Sequence, residues 1–270
     1  MTHPFDAGLA LVTEGAHIRG RTTPDYANMV GPFGGITAAS FIGAIGAHPD
    51  RLGDPVSLTV NYVAPISDGA FDLVLRAVRT NRTNQHWTAE LIQATETGPE
   101  IKCTATAVFG IRRDTWSDTE PQPPAAPAPE DVVPFDMSPF VTWTKNYEMR
   151  FVEGALPGEG ASDCPDSTTT LWTRDQPARA LDYPALTALC DVFYPRVFLR
   201  RGQFNPAGTI SFTVYFHADA GDLARQGDDY LLATARAQRF AGGFFDQTAQ
   251  LWGRDGTLLA TTHQMVYFKN

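Results

Sequence analysis

Two short stretches of this sequence resemble each other: residues 57–60 read Ser-Leu-Thr-Val and residues 211–214 read Ser-Phe-Thr-Val, 154 positions later. A candidate helix precedes each copy, over 34–47 and over 181–193. Each copy lies in the first of four runs rich in β-branched and aromatic residues, which predict strands. These runs cover 56–63, 71–79, 86–94 and 101–109 in the first half, and 210–217, 230–239, 244–252 and 258–268 in the second. The chain is therefore predicted to repeat an α+β fold in tandem, with one helix before four antiparallel strands in each half.

A proline-rich segment separates the two copies. Residues 121–134 read PQPPAAPAPEDVVP, and proline at this density neither pairs within a sheet nor continues a helix. We expect an extended connector that runs over the surface. The predicted division is an N-terminal domain over 1–115, a linker over 116–140 and a C-terminal domain over 141–270.

The first candidate helix consists of small and apolar residues. Its sequence, GGITAASFIGAIGA, contains no charged residue, which is typical of a buried helix. Each glycine lowers helix stability by ~1 kcal/mol relative to alanine, so burial must compensate. We expect a helix wrapped by its own antiparallel sheet.

The composition excludes some classes of partner. Hydrophobic residues make up 43% and charged residues 19% of the chain, as in globular proteins, and a net charge of −9 argues against nucleic acid. No stretch approaches the ~18 apolar residues that a membrane span needs, and the N-terminus lacks the pattern of a signal peptide. Cys103, Cys164 and Cys190 are odd in number and have no CxxC spacing, which favours reduced thiols in a cytoplasmic protein.

Several common catalytic motifs are missing from the sequence. It has no G-x-S-x-G, no phosphate-binding P-loop and no G-x-G-x-x-G, and its six histidines show no metal-ligand spacing. A Ser-His-Asp triad assembled from distant positions stays open, although no motif points to one. Neither a metal nor an organic cofactor is expected.

Three polar residues stand out because they occupy apolar segments. Helical spacing places Asp191, in LTALCDVF, on a face of small residues that leaves room for a ligand, late in the helix where the dipole disfavours a carboxylate. Gln264 lies inside the last predicted strand, and Thr209 opens the strand 209–217. Taken singly, they are also compatible with a solvent-facing acid, a structural amide that ties two strands together and an ordinary strand threonine.

The first half lacks such residues at the matching places. Its helix has no acid, and its last predicted strand has Thr104, Ala105 and Thr106 near the position of Gln264. This asymmetry predicts one active site per chain, with the acid in the second half.

Five segments, taken together, resemble a known family. They are VGPFGGITAA (30–39), VNYVAPISDG (60–69), LTALCDV (186–192), AGTISFTVYFH (207–217) and DGTLLATTHQMVYFK (255–269). In order and spacing they resemble the type II acyl-CoA thioesterases and their relatives, which consist of two fused hot-dog folds. Val56 departs from the pattern, because some relatives carry a histidine there.

The resemblance implies a function and a site. In that family an Asp, a Thr or Ser and a Gln of the second hot dog bind and activate a hydrolytic water, and these match Asp191, Thr209 and Gln264. The expected reaction is hydrolysis of a fatty acyl-CoA to the free acid and CoA. Backbone N–H groups at Gly34 and Gly35, at a helix N-terminus, are expected to face the thioester oxygen.

CoA is polyanionic, so the acidic chain must supply local cations, for which Arg196, Arg200 and Arg201 are candidates. By analogy with other hot-dog proteins, a homodimer is expected. Two alternatives remain: a hot-dog enoyl-CoA hydratase or dehydratase, which would use an Asp/His pair that LTALCDVFYPRVF lacks, and a non-catalytic protein that binds acyl-CoA.

Overall fold

Antiparallel strands form one continuous sheet in the computed structural model, which describes residues 2–14, 17–136, 141–158 and 160–269. The first half contains β1 (Val12–Glu14), β2 (His17–Arg21), β3 (Asp54–Tyr62), β4 (Ala70–Thr80), β5 (Asn84–Thr95) and β6 (Gly98–Gly110). The second contains β7 (Tyr147–Glu153), β8 (Thr169–Asp175), β9 (Ala207–Phe216), β10 (Leu231–Arg236), β11 (Phe240–Ala241), β12 (Phe244–Trp252) and β13 (Leu258–Phe268). The helices are α1 (Pro4–Gly8), α2 (Gly34–Gly46), α3 (Tyr183–Leu189), α4 (Arg196–Arg201) and α5 (Ala220–Gln226), with short 3-10 helices at Pro24–Tyr26, Pro129–Asp131 and Thr142–Asn146.

The two halves have the same strand order. The first runs β1-β2-β4-β5-β6-β3, and the second runs β7-β8-β10-β12-β13-β9. Each half thus contains two strands before its main helix and four major strands after it. The predicted tandem α+β fold is confirmed, but the prediction of one helix and four strands per half omitted β1, β2, β7, β8 and β11, and it also omitted α1, α4 and α5.

The halves meet where β3 pairs with β9. Thr59 lies opposite Thr213, and their hydroxyl oxygens are 3.0 Å apart. These two threonines occupy the same place in the repeated stretches 57–60 and 211–214. The two copies of the repeat thus pair with each other about a local twofold axis, which was not predicted from the sequence.

A bulge recurs at the same place in both halves. Pairing of β3 with β6 skips Val56, between Pro55 and Ser57. Pairing of β9 with β13 skips Ile210, which stands 154 positions after Val56. A bulge inserts one unpaired residue and re-aims the side chains that precede it, so the start of β3 and the start of β9 have equivalent geometry.

Helix α2 is buried as expected. Its core residues include Phe41, Ile42 and Ile45, each at most 2% exposed, and the helix packs closely against α3 of the other half. Gly35 permits this approach, since a Cβ there would lie 2.7 Å from the carbonyl oxygen of Ala188. The two helices thereby bring the first turn of α2 next to the segment that follows α3.

The second helix is shorter than predicted. It ends at Leu189 because the hydrogen-bond pattern tightens: the Asp191 amide donates to Ala188, three residues back, at 3.0 Å. Asp191 consequently lies in the turn beyond the helix. The expectation of a late helical position on a face of small residues was wrong.

The proline-rich segment, residues 121–134, contains no strand, has a short 3-10 helix at Pro129–Asp131, and is docked on the second half. The indole N–H of Trp172 donates to the Pro127 carbonyl at 2.9 Å, and Arg150 donates to the carbonyls of Pro129 and Val132. Ala126 and Val132 pack against a small apolar cluster on the sheet (Trp172, Tyr230, Leu232 and Trp252). The segment thus covers one face of the second half's sheet.

Candidate active site

The three polar residues singled out from the sequence lie together. Asp191 is in the turn after α3, Thr209 is near the start of β9 and Gln264 is in β13, which pairs with β9. Gln264 is buried at 4% exposure, whereas Asp191 and Thr209 remain partly exposed. Asp191 and Thr209 are thus less enclosed as residues than Gln264, which is held in the protein.

A directed chain of hydrogen bonds joins the three side chains. The Gln264 Nε2 group donates to Asp191 Oδ1 at 2.7 Å, and the Thr209 hydroxyl donates to Gln264 Oε1 at 3.1 Å. An ionised carboxylate only accepts, so the amide must turn its NH2 group towards Asp191 and its oxygen towards Thr209. The hydroxyl proton of Thr209 is thereby committed, and its lone pairs remain available to accept.

The environment of Asp191 makes it a base near neutral pH. Burial raises the pKa of its carboxyl to about 7, although hydrogen bonds from Gln264 and the Gly35 amide favour the charged form. A general base works best when its pKa lies near the operating pH. An ordinary surface aspartate, with a pKa near 3.8, would be a weaker base.

The first half supplies the wall opposite Asp191. Gly34 and Gly35 begin α2, and its N-cap residue, Phe33, provides no side-chain hydrogen bond. Backbone hydrogen bonding from Gly35 lowers the pKa of the Asp191 carboxyl, and this acid of the second half therefore lies at the N-terminus of α2. A Cβ at Gly34 would lie 2.8 Å from Asp191 Oδ2, so glycine is required for this close approach.

Nearby thiols do not act as nucleophiles here. Cys190 precedes Asp191, and burial raises the pKa of its thiol well above the ordinary value. Burial also raises the pKa of Cys103, on β6, to about 12. Both are neutral thiols near pH 7 and hence weak nucleophiles. Among the described residues, no group of three or more His, Cys, Asp or Glu side chains could hold a metal ion.

The strand register identifies the positions of the first half that correspond to the site. Phe212 pairs with Gln264, and its counterpart Leu58 pairs with Ala107. Ala107 therefore corresponds to Gln264, one residue beyond the segment 104–106 expected from the sequence. Pro55, just before the bulge, corresponds to Thr209. Neither residue offers a polar side chain, so the first half has no equivalent of the hydrogen-bonded chain.

Arg196 does not serve the role expected of it. It is 0% exposed, and its guanidinium donates to Gln247, Thr169 and backbone carbonyls of the second half. Burial lowers its pKa to about 10. The expectation that Arg196 attracts an anionic ligand was wrong, because its charge is enclosed and its donors are committed.

Arg200 and Arg201, in contrast, line a surface cavity of about 520 Å³. Phe268, at the end of β13, lines the same cavity and lies four residues from Gln264 on the same face of the strand, about 13 Å away. Asp163 also borders the cavity. Two cations and two aromatic rings thus line a cavity that the strand carrying Gln264 also borders, and the Arg200 guanidinium donates there to the Cys164 carbonyl.

Tyr62 contacts the site without having been singled out from the sequence. It is the last residue of β3, and its hydroxyl donates to the Gly34 carbonyl at 2.8 Å. Its partner is a backbone atom, which leaves no trace in a pattern of side chains. The one signal available was a tyrosine inside a segment that carries the family resemblance.

Two α+β units follow each other in this chain, and one polar cluster lies where their helices α2 and α3 meet. This arrangement is that of a double hot-dog protein. Residues 23–110 match the acyl-CoA thioesterase N-terminal domain, and residues 119–268 match the acyl-CoA thioesterase C-terminal domain. The chain belongs to this acyl-CoA thioesterase family. The predicted family resemblance and fold are thereby confirmed.

Solved structures share the fold of this chain. A conserved protein of unknown function with a hot-dog fold from Alicyclobacillus acidocaldarius is 46% identical, with coverage of 100% of this chain and 99% of that one and a TM-score of 0.94. A protein assigned as a thioesterase II from Thermobifida fusca shares 19% identity, 100% and 98% coverage and a TM-score of 0.85. The tesB protein of Mycobacterium avium subspecies paratuberculosis shares 20% identity, 98% coverage of both chains and a TM-score of 0.79. Among curated proteins, none matches the chain.

Proposed function

We propose that this chain hydrolyses fatty acyl-CoA thioesters to the free acid and CoA, with Asp191 as general base. The observation that carries the proposal is the hydrogen-bonded chain from Thr209 through Gln264 to a carboxylate whose pKa is about 7. Such a chain suits activation of a water molecule, because it presents a base and a fixed acceptor side by side.

The reaction proceeds in two steps. Water, held by Asp191 and the lone pairs of Thr209, adds to the thioester carbonyl carbon while Asp191 takes its proton. The tetrahedral intermediate then collapses: the carbon–sulfur bond breaks, and the proton passes from Asp191 to the leaving thiolate. The products are the carboxylic acid and the CoA thiol, and Asp191 is again ionised.

The thioester oxygen is assigned to the first turn of α2. Amides of this turn lack partners within the helix, and the helix dipole favours negative charge there. The Gly35 amide already serves Asp191, so the amide of the partly exposed Gly34 is the proposed donor to the oxyanion. The sequence had predicted that the N–H groups of both glycines face the thioester oxygen, whereas this proposal assigns that role to Gly34 alone.

The CoA phosphates are assigned to Arg200 and Arg201. The cavity that these arginines line is also lined by Phe268, which shares a strand face with Gln264, and CoA would extend from there towards Asp191. The described histidines whose side-chain contacts are known, His3, His48, His217 and His263, contact residues other than Asp191, which favours thioester hydrolysis over a hydratase that needs an Asp/His pair.

Two properties remain predictions. The free thiols suit a reducing compartment, so we propose the cytoplasm as the location. No helix within the described ranges is long and apolar enough to cross a bilayer. A homodimer is proposed by analogy, and light scattering of the purified protein measures it.

The test is a panel of acyl-CoA substrates from short to long chains, with thiol release measured for the wild type and Asp191→Asn. We expect kcat of the variant to fall at least about 100-fold with acyl-CoA binding retained. In the wild type, kcat should decrease as the pH falls below about 7, because protonated Asp191 is not a base.

Asp175→Asn is the matched control. Asp175 is also a buried acid of the second half, and burial raises its pKa to about 7 as well, but its electrostatic partners are Arg179, Asp182 and Asp6. Its variant should retain wild-type kcat. Unchanged kcat in Asp191→Asn would contradict the proposal, as would binding without hydrolysis across the panel or hydration of an enoyl-CoA in place of thiol release.

A further inference from the structure

A single peptide group connects Tyr62 to Asp191. Its carbonyl belongs to Gly34 and accepts from the Tyr62 hydroxyl at 2.8 Å. Its N–H belongs to Gly35, whose backbone hydrogen bonding lowers the pKa of the Asp191 carboxyl, and a Cβ on Gly34 would lie 2.8 Å from Asp191 Oδ2 and 3.1 Å from the Tyr62 hydroxyl. Because a peptide group is planar, fixing the direction of the carbonyl also fixes the direction of the N–H.

We propose that Tyr62 is a positioning residue for the hydrolysis proposed above, holding the Gly34–Gly35 peptide so that its N–H stays on Asp191. The inference thus rests on the proposed function and adds to it a residue of the first half. Tyr62 acts through the peptide group, and the acid remains the group that meets water.

The Tyr62 hydroxyl can influence Asp191 because of where the Gly34–Gly35 peptide lies. It lies in the first turn of α2, where Phe33 supplies no side-chain cap and the following amides have no partners within the helix. Glycine at both positions leaves the peptide without the steric restraint that a Cβ provides. The Tyr62 hydroxyl adds a second hydrogen bond at the Gly34 carbonyl, beside that of the helix, and polarises the peptide, which strengthens the N–H as a donor.

Tyr62 is suited to this role because it stays protonated. Burial raises the pKa of its phenol well above the ordinary value, and the charge of Asp191 raises it further. The phenol therefore donates over the whole pH range in which Asp191 titrates. A base at this position would compete with Asp191 for the proton of water.

The remaining titratable groups around Asp191 are neutral in that range. Tyr147, from β7, and Cys190, in the same turn, both interact with its charge, and burial raises the pKa of each well above the ordinary value. No charged side chain among the described residues contributes to the pKa of Asp191. Its titration consequently depends on burial and on the donors Gln264 and Gly35, so weakening one donor has a measurable effect.

The test is Tyr62→Phe, which keeps the ring and removes only the hydroxyl. We expect kcat to fall about three- to tenfold with KM nearly unchanged, the loss associated with one hydrogen bond. The acidic limb of the pH profile should move to higher pH, because the weakened Gly35 donor no longer favours the charged carboxylate as strongly.

Tyr183→Phe is the matched control. The Tyr183 hydroxyl likewise donates to a backbone carbonyl, that of Ala218 at 3.2 Å, and lies outside the polar cluster. Its removal should leave kcat and the pH profile unchanged, and melting temperatures show that both variants fold. An unshifted profile in Tyr62→Phe, or an equal loss in both variants, would overturn the inference.

A second readout does not need turnover. The ¹³C chemical shift of the Asp191 carboxyl, assigned by its loss in Asp191→Asn, reports the pKa of this acid in solution. A higher pKa in Tyr62→Phe than in the wild type supports the positioning role even if no thioester is hydrolysed, in which case the proposed function alone fails. Equal pKa values in the two proteins overturn the role of Tyr62 whatever the activity.

Discussion

The two halves of this chain have one fold and contribute differently to the candidate site. Both place six strands in the same order, and both have a bulge at the same point, at Val56 and at Ile210. Beside the bulge, however, the first half has Pro55 where the second has Thr209, and it has Ala107 where the second has Gln264. The backbone that positions the site therefore occurs twice, and the side chains that would act on water occur once.

The difference does not make the first half a passive copy. Its helix α2 provides the Gly34 and Gly35 backbone that meets Asp191, and its strand β3 provides Tyr62. The second half thus supplies side chains, and the first half supplies backbone donors and their support. A substitution should affect activity according to which of these contributions it removes.

The largest expected effect comes from removing the amide of the second half. In Gln264→Leu, Asp191 loses its 2.7 Å donor and Thr209 loses its acceptor, and we expect kcat to fall about 100- to 1000-fold. The pH optimum should also rise, since the hydrogen bond from Gln264 lowers the pKa of Asp191. Steady-state kinetics from pH 5 to 9 measure both effects.

Gln93→Leu provides the control in the first half. Gln93 is a buried strand amide on β5 that donates to the carbonyls of Ser67 and Ala70. Its loss should lower the free energy of unfolding, by about 1–3 kcal/mol, and leave kcat of the folded protein unchanged. Equal losses of kcat in the two variants would show that the halves do not differ as described.

The next largest effect tests the backbone contribution of the first half. In Gly34→Ala the new Cβ would lie 2.8 Å from Asp191 Oδ2 and 3.1 Å from the Tyr62 hydroxyl, so the acid must move. We expect kcat to fall about 10- to 100-fold. Gly43→Ala in the same helix is the control, because its Cβ would meet nothing closer than Pro184 Cγ at 4.0 Å. That variant should retain kcat and gain ~1 kcal/mol of stability, measured by denaturant unfolding.

The smallest expected effect concerns stability. The acids among the described residues whose pKa is raised are Asp175 and Asp191, both in the second half. Each binds its proton more tightly in the folded than in the unfolded state, so the free energy of unfolding decreases as the pH rises from about 4 to about 7 and stays low above that.

Asp175→Asn removes the charged form of one of these groups. It should raise the free energy of unfolding at pH 8 by about 1–2 kcal/mol, after the cost of burying the amide, and flatten the dependence on pH. Urea titrations at pH 5 and pH 8 measure this difference. A variant less stable than the wild type at pH 8 would contradict the pKa of about 7 for Asp175.

The sequence predicted the fold through features that act locally. The alternation of polar and apolar residues in a strand, and the absence of charge from a helix, can be recognised within a short stretch of sequence. The sequence therefore placed β12, β13 and the start of α2 correctly. Strands β7 and β8 were missed, since β8 is rich in threonine and is buried on both faces, a placement decided by its partner strands. The family resemblance, more than periodicity, brought Asp191, Thr209 and Gln264 together as one site.

The geometry of the site was harder to predict from the sequence than the fold. The apolar pattern of α3 continues past Leu189, so nothing local showed that the helix ends before Asp191. The contact between Asp191 and Gly35 joins residues of different halves, and the link from Tyr62 runs through a backbone carbonyl. Arg196 was misread because an arginine buried without a carboxylate partner is rare, and its hydrogen bonds to backbone carbonyls are not encoded in a motif.

The seam at Thr59 and Thr213 has a consequence for how the protein responds to dilution. Two separate subunits that share a site must associate, and their activity decreases when the concentration falls below the dissociation constant. Here both contributors are parts of one chain, so the local concentration of one half around the other is set by the connecting segment. Specific activity per chain should accordingly be constant from micromolar to picomolar protein, and each half is free to carry a residue that its counterpart lacks.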